Sequence, residues 1–288
     1  MAVAATTETG VRPSRAGRRP SVPGWAGTVP FFAYVAVFLL WPTAIVVVDA
    51  LKNPNGGWAF ANIAKLGDPL VRGYFIGSFK LCLLSSVFGA VFGAILAYAV
   101  ATGNPDGVVR RLYIAVSGVL AQFGGVTLAF AFLVLIGPVG LLFHASWFYS
   151  FPWGITVIYT YFQIPLMVLV FLPAIDGVKA QWREASENLG ASAWQYWRYV
   201  GGPLLLPAFL GGTLLLFANA LSAFATIQAW EDQIAYIVPQ QISTALSSEV
   251  GLSSVNVADL LALGMVVLMA IVMTGYALLQ RRAARWLR

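Results

Sequence analysis

The sequence predicts an all-α, polytopic membrane protein with six transmembrane helices. Three observations predict it: the composition, the length of the uncharged runs, and the side on which the cations fall. Of 288 residues, 59% are hydrophobic and 10% charged, and the mean hydropathy is +0.80. A soluble domain is about a quarter charged, so this chain lacks the polar side chains to cover a wet surface. No core of a chain this long would hide the excess. The composition excludes an ordinary soluble enzyme, a disordered chain and a disulfide-stapled secreted module, and Cys82, the one cysteine, forms no internal bridge. The net charge of +6 is not a nucleic-acid signature, because the cations sit in short segments between long uncharged runs.

A crossing helix needs about 20 mostly apolar residues, at roughly 1.5 Å rise each across a hydrocarbon core of about 30 Å. Six stretches qualify, near 29–48, 81–101, 112–136, 153–175, 204–229 and 260–279. Pro42 is the expected kink of the first, and the fourth carries Pro165 and Pro173. Runs this long exceed barrel strands, and irregular backbone would leave polar groups unpaired in lipid, so each is read as a helix. The first run has the basic lead of a secretory signal but is too long for one, and no clear cleavage site follows it, so it is expected to be retained. Residues 1–27, rich in Arg, Pro, Gly, Ser and Thr, read as a flexible basic cytoplasmic tail, leaving 28–288 as the transmembrane domain.

Orientation follows from the cations. With a cytoplasmic N-terminus, the inner segments hold Arg12, Arg15, Arg18, Arg19, Arg110, Arg111, Lys179, Arg183, Arg198, Arg281, Arg282, Arg285 and Arg288, which is 13 of the 17 basic residues. Only Lys52, Lys65, Arg72 and Lys80 fall outside or at the outer edge. The positive-inside rule then places both termini in the cytoplasm. The one large inner loop is 176–203. It reads as two short helices joined at Gly190, the second presenting Trp194, Trp197 and Tyr199 and ending at Gly201-Gly202-Pro203. Such a pair either lies among lipid headgroups or forms a docking surface for a cytoplasmic partner.

Within this loop Glu184-Ala185-Ser186 is followed by Gly190, then by Val200 and Pro203. This spacing resembles the EAA loop of permeases from type I, binding-protein-dependent ABC importers. There the pattern is Glu-Ala-Ala, three residues, Gly, nine residues, Ile or Val, one residue, Leu-Pro. Ser186 replaces the second alanine and Gly202 the leucine. The resemblance implies a role for Glu184, Ala185, Ser186, Gly190, Val200 and Pro203 in coupling to a nucleotide-binding subunit. It further implies a second permease subunit or a second copy of this chain, and an extracytoplasmic solute-binding protein. The chain itself has no G-x-x-x-x-G-K-[ST], so ATP and Mg²⁺ are expected on the separate ATPase and no cofactor on this chain. The stretch Gln122 to Phe132 and the overall layout look most like the spermidine/putrescine branch, which implies a polyamine or a related small polar solute. A carbohydrate importer of the maltose or trehalose type is the alternative.

Polar residues at membrane depth are functional candidates because lipid cannot satisfy them. Gln122, Tyr161, Gln163, Asn219 and Ser222 are the expected pathway lining, set against ordinary interhelical hydrogen bonding. Gln228 is polar in the same way, and Tyr159 and Phe162 flank Gln163. Ser85, Gly89, Gly93 and Ala97 recur every four residues on the second span and predict a close helix approach. His144, the one histidine, stands without Cys, Asp or Glu beside it, so no metal site is expected. No G-x-S-x-G or other catalytic constellation appears, and no acid lies in mid-span to couple a self-sufficient secondary carrier. Lys52, Lys65, Arg72, Glu231, Asp232 and Glu249 form the expected docking face for the solute-binding protein. The expectation is thus a multi-pass transport subunit of the cell membrane that contacts lipid and binds no nucleic acid.

Overall fold

The computed structural model describes residues 28–52, 57–58, 60–104, 106–136, 141, 151–229, 237–247 and 251–285. The tail 1–27, His144, Glu231, Asp232, Glu249 and Arg288 lie outside the described residues. The chain divides into two compact units, Met1–Ile45 and Val46–Arg288. Apart from an isolated bridge between Lys52 and Trp58, the regular structure among the described residues is helical.

Helix α1 (Val29–Ala50) begins in the first unit, with Pro30 at its start. A wider π turn, Ala36–Leu40, lies just before Pro42, where the missing proline N–H leaves the helical ladder short of a donor. Its side chains Phe31, Phe32, Phe38, Leu40 and Trp41 are all exposed, as the surface of an apolar span in lipid must be.

In the second unit, α2 (Pro69–Ala101) has 33 residues and is about 50 Å long at roughly 1.5 Å per residue. The sequence places its start at Leu81 because Arg72 and Lys80 interrupt the apolar run. The helix starts earlier because Asp68 caps it, its carboxylate accepting the Leu70 N–H at 2.9 Å. Next come α3 (Val108–Gln122), α4 (Val126–Ile136), α5 (Trp153–Asp176) and the short α6 (Ala180–Asn188). Helix α7 runs from Ala193 to Ser222, followed by α8 (Phe224–Gln228), α9 (Val238–Ser247) and α10 (Gly251–Arg285).

Two further expected spans differ from the observed helices in where they break. The third is not one helix: α3 and α4 meet at 96°, broken at Phe123-Gly124-Gly125, where Gly125 takes φ +76°. A left-handed residue ends the α-helical ladder, and glycine alone adopts it without a Cβ penalty. The fifth starts at Ala193 rather than near Leu204 and breaks at Ala223. Among the described residues five helices are long and apolar enough to cross a membrane, and six if α3 and α4 count as one bent span.

The core is the pairing of α2 with α5, with α7 along both and α3 against α5. The small-residue face predicted on α2 makes that pairing. A Cβ on Gly89 would stand 2.6 Å from Gln163 Cβ, and one on Gly93 would stand 2.5 Å from Met167 Cβ and 2.8 Å from the Ile164 carbonyl oxygen. Lipid tails are as apolar as leucine, so helix association here rests on such close van der Waals approach rather than on escape from water. Around it Leu81, Ile158, Tyr159, Met167, Val168 and Leu216 are fully buried.

Candidate functional site

The 176–203 loop is built by helix-end chemistry. Helix α6 ends on Leu189, and Gly190 follows at φ +79°. Its N–H donates to the Glu187 carbonyl at 2.9 Å, and the Ala191 N–H donates to that of Ser186 at 3.0 Å. This double closure is a Schellman turn, which requires a left-handed residue where Gly190 stands. Ser192 then caps α7: its hydroxyl accepts the Gln195 N–H at 3.3 Å, while the Gln195 side chain accepts the Ser192 N–H at 2.7 Å. The predicted break at Gly190 and the short helix before it are present, but the helix after it is not short.

The end predicted at Gly201-Gly202-Pro203 is absent. Helix α7 continues through a π turn, Trp197–Gly201, into the fifth span. Pro203 falls where the π turn has already shifted the hydrogen-bond register, so its missing N–H does not stop the helix. The π turn brings the Trp197 carbonyl oxygen against the position a Cβ on Gly202 would occupy. A glycine therefore stands where the EAA pattern has leucine because this backbone leaves no room for a side chain. The sequence signal was Gly201-Gly202 itself, read there as a helix stop.

Glu184 and Ala185 are exposed, Ser186 and Val200 are half-buried, and the Ser186 hydroxyl donates to the Arg183 carbonyl at 2.7 Å. Arg183 pairs with Glu187 at 3.0 Å rather than with Glu184, and that hydrogen bond pushes the guanidinium further above its ordinary value. Glu184 has no ion-pair partner among the described residues, so its carboxylate is available. The same loop exposes large apolar side chains: Leu189 is 88% exposed and Trp194 71%. An ion pair between Arg110 and Asp176 ties the start of α3 to the end of α5 at this same end of the bundle. Behind α6, a cleft of about 500 Å³ separates it from the ends of α2 and α5.

The residues expected to line a pathway stand in different surroundings. Gln163 is fully buried between α2 and α5, donating to Ser85 Oγ at 3.2 Å, and packed where Gly89 leaves space. Tyr161 faces the other way, edge-on to Phe132 at 5.7 Å, beside a cavity of about 490 Å³ lined by Phe88, Phe92 and Trp153. Gln122 ends α3 and Ser222 ends α7, so each stands at a helix break, and Asn219 is half-buried one turn before Ser222. The two breaks are joined: the Gly125 N–H donates to Thr226 Oγ1 at 3.1 Å, and the Tyr159 hydroxyl donates to the Ala223 carbonyl. Thr226 was missed because a threonine in an apolar run carries no signal until a broken helix offers it an orphan N–H. No group of three or more His, Cys, Asp or Glu that could hold a metal occurs among the described residues.

A helical membrane domain with an EAA-type loop between its fourth and fifth spans defines the class as a transport permease. Residues 89–288 match the family of binding-protein-dependent transport system inner membrane components, and the chain belongs to that family. It is similar to the probable sulfate transport system permease protein of Helicosporidium sp. subsp. Simulium jonesii, 24% identical over 60% of this chain; that match spans 65% of the relative, just under two thirds of its length. The sulfate transport system permease protein of Escherichia coli is 27% identical over 67% of this chain and 70% of its own. The molybdenum transport system permease protein of that species is 29% identical over 52% and 68%. Among solved structures, a bacterial ABC transporter involved in import of the acidic polysaccharide alginate shares the fold, with a TM-score of 0.71 and 16% identity over 90% of this chain and 94% of that one. The chain is thus a multi-pass, inner-membrane permease subunit of a binding-protein-dependent ABC importer.

Proposed function

We propose that this permease carries a small inorganic oxyanion of the sulfate or molybdate kind. The observation that supports this is its likeness to sulfate and molybdenum permeases, which extends over about two thirds of the chain in the sulfate case. The exposed Arg72 and Lys80 on the extension of α2 agree with it, since cations at a mouth raise the local concentration of an anion. The polyamine expected from the sequence finds no support in these relatives. Both termini and the 176–203 loop face the cytoplasm in this reading. An ATPase subunit docks on Glu184, Leu189 and the Gly190 turn, a second permease completes the pathway, and an external solute-binding protein delivers the anion. The experiment is uptake into vesicles containing the complete transporter, with radiolabelled sulfate, molybdate, thiamine, spermidine and maltose in parallel. Sulfate or molybdate uptake competed by the other is expected. Uptake of spermidine alone would overturn the oxyanion reading and restore the polyamine one.

A further inference from the structure

We propose that the chain binds an anionic phospholipid at its EAA-type loop, the acyl chain lying between α2, α5 and α7 and the phosphate against Lys179 and Arg183. Two cavities carry this. One, of about 400 Å³, is lined by Ala94, Ile95, Phe171, Leu206 and Phe209. The other is the cleft of about 500 Å³ behind α6, where Lys179, Arg183, Ser186, Glu187 and Ser192 stand. Tyr98, Ile175, Trp197 and Leu205 line both, so a single groove passes from an apolar span surface to a charged loop. Tyr98 and Trp197 meet edge-on at 5.3 Å at the junction, and aromatic side chains of this kind are enriched at membrane boundaries.

The chemistry of the groove matches an amphiphile with one negative charge. Two cations and one carboxylate leave its charged end at +1, the complement of a phosphodiester. Arg183 commits its Nε–H to Glu187, leaving its terminal amino groups for phosphate oxygens. Lys179 makes no ion pair among the described residues. A basic pocket between helices at the membrane face is where anionic headgroups bind. A free anion would fill only the lower half, and a soluble subunit cannot reach the apolar half. Seated there, the lipid braces α6 against the ends of α2 and α5, so bilayer charge acts directly on the loop that the proposed function assigns to ATPase docking. The inference rests on that reading only for which leaflet supplies the lipid.

The test uses the complete transporter, equilibrated with equal phosphatidylglycerol and phosphatidylcholine, with retained lipid counted by native mass spectrometry. Preferential retention of phosphatidylglycerol is expected. Lys179→Glu changes the lining charge by two units and should lower that retention about thirtyfold, at about 1 kcal/mol per unit of charge. An acidic residue at this helix start leaves α6 intact. Ile95→Trp, on an exposed position of the apolar half, should reduce retention of both lipids. Glycerol 3-phosphate, a head without a tail, should displace neither. Equal retention of the two lipids, retention unmoved by both variants, or displacement by glycerol phosphate would overturn the proposal. So would photo-cross-linking of Ile95→Cys, labelled with a photoactivatable maleimide, to the second permease, since protein would then fill the groove. A reporter placing the loop outside the cell would refute the orientation and leave the lipid preference standing.

Discussion

Replacing Gly190 separates two effects that the loop superimposes, backbone strain and docking. At φ +79° any residue with a Cβ costs about 1–2 kcal/mol relative to glycine, and asparagine costs least because it tolerates the left-handed region. An added Cβ would meet nothing within 4 Å, so the first side-chain atom adds no steric cost inside this chain. Gly190→Ala and Gly190→Trp share this backbone cost and should both lower the thermal stability of the purified permease, and Gly190→Asn by less. If the turn enters a cleft on the ATPase, the indole cannot follow it, and co-purification of the ATPase should fall at least tenfold for Trp relative to Ala, a difference of about 1.4 kcal/mol. Solute uptake should fall in parallel, while membrane insertion is unchanged. Equal ATPase retention and equal uptake by the Ala and Trp variants would refute docking at Gly190 and leave the glycine a helix stop alone.

Three further outcomes are expected. Gly93→Val forces atoms into the Met167 and Ile164 contact, and overpacking of this kind should destabilise the permease by about 1–3 kcal/mol in detergent melts; a melt within experimental error of the parent would contradict the close approach of α2 and α5. Thr226→Val keeps the shape but removes the acceptor of the Gly125 N–H, so it should cost about 1–3 kcal/mol and speed amide exchange at the α3–α4 break, with Thr226→Ser restoring both. Gln163→Leu should leave stability within about 1 kcal/mol of the parent, because Ser85 Oγ keeps its bond to the Cys82 carbonyl and the unpartnered Gln163 Oε1 is removed. Uptake lost at unchanged stability would instead return Gln163 to the pathway.

The positions of the helices were readable because a bilayer imposes one rule on every span, enough apolar residues in series with the backbone paired internally. Helix ends at Val29, Trp153 and Ala101 stand near the expected span ends, since proline or glycine marks each of them. The start of α2 was not, because an amphipathic extension carrying Arg72 and Lys80 looks like a loop to any measure of hydropathy. The EAA spacing was visible because Gly190 performs a local task, closing a Schellman turn, that needs nothing from the rest of the chain.

What the sequence by itself determined is therefore what depends on neighbours along the chain: membrane class, helix content, the loop and its glycine turn. The tertiary structure alone decided which polar residues face space and which face protein. Gln163 and Tyr161 lie two positions apart on one helix, yet one fills the gap left by Gly89 while the other borders an aromatic cavity. It also decided where spans break, since Gly125 bends its helix with its freed N–H held by Thr226, 101 residues away. Hydropathy records how much a residue resists water. It does not record what stands opposite, and in a bilayer, where apolar surfaces are equivalent, the opposite partner sets the packing.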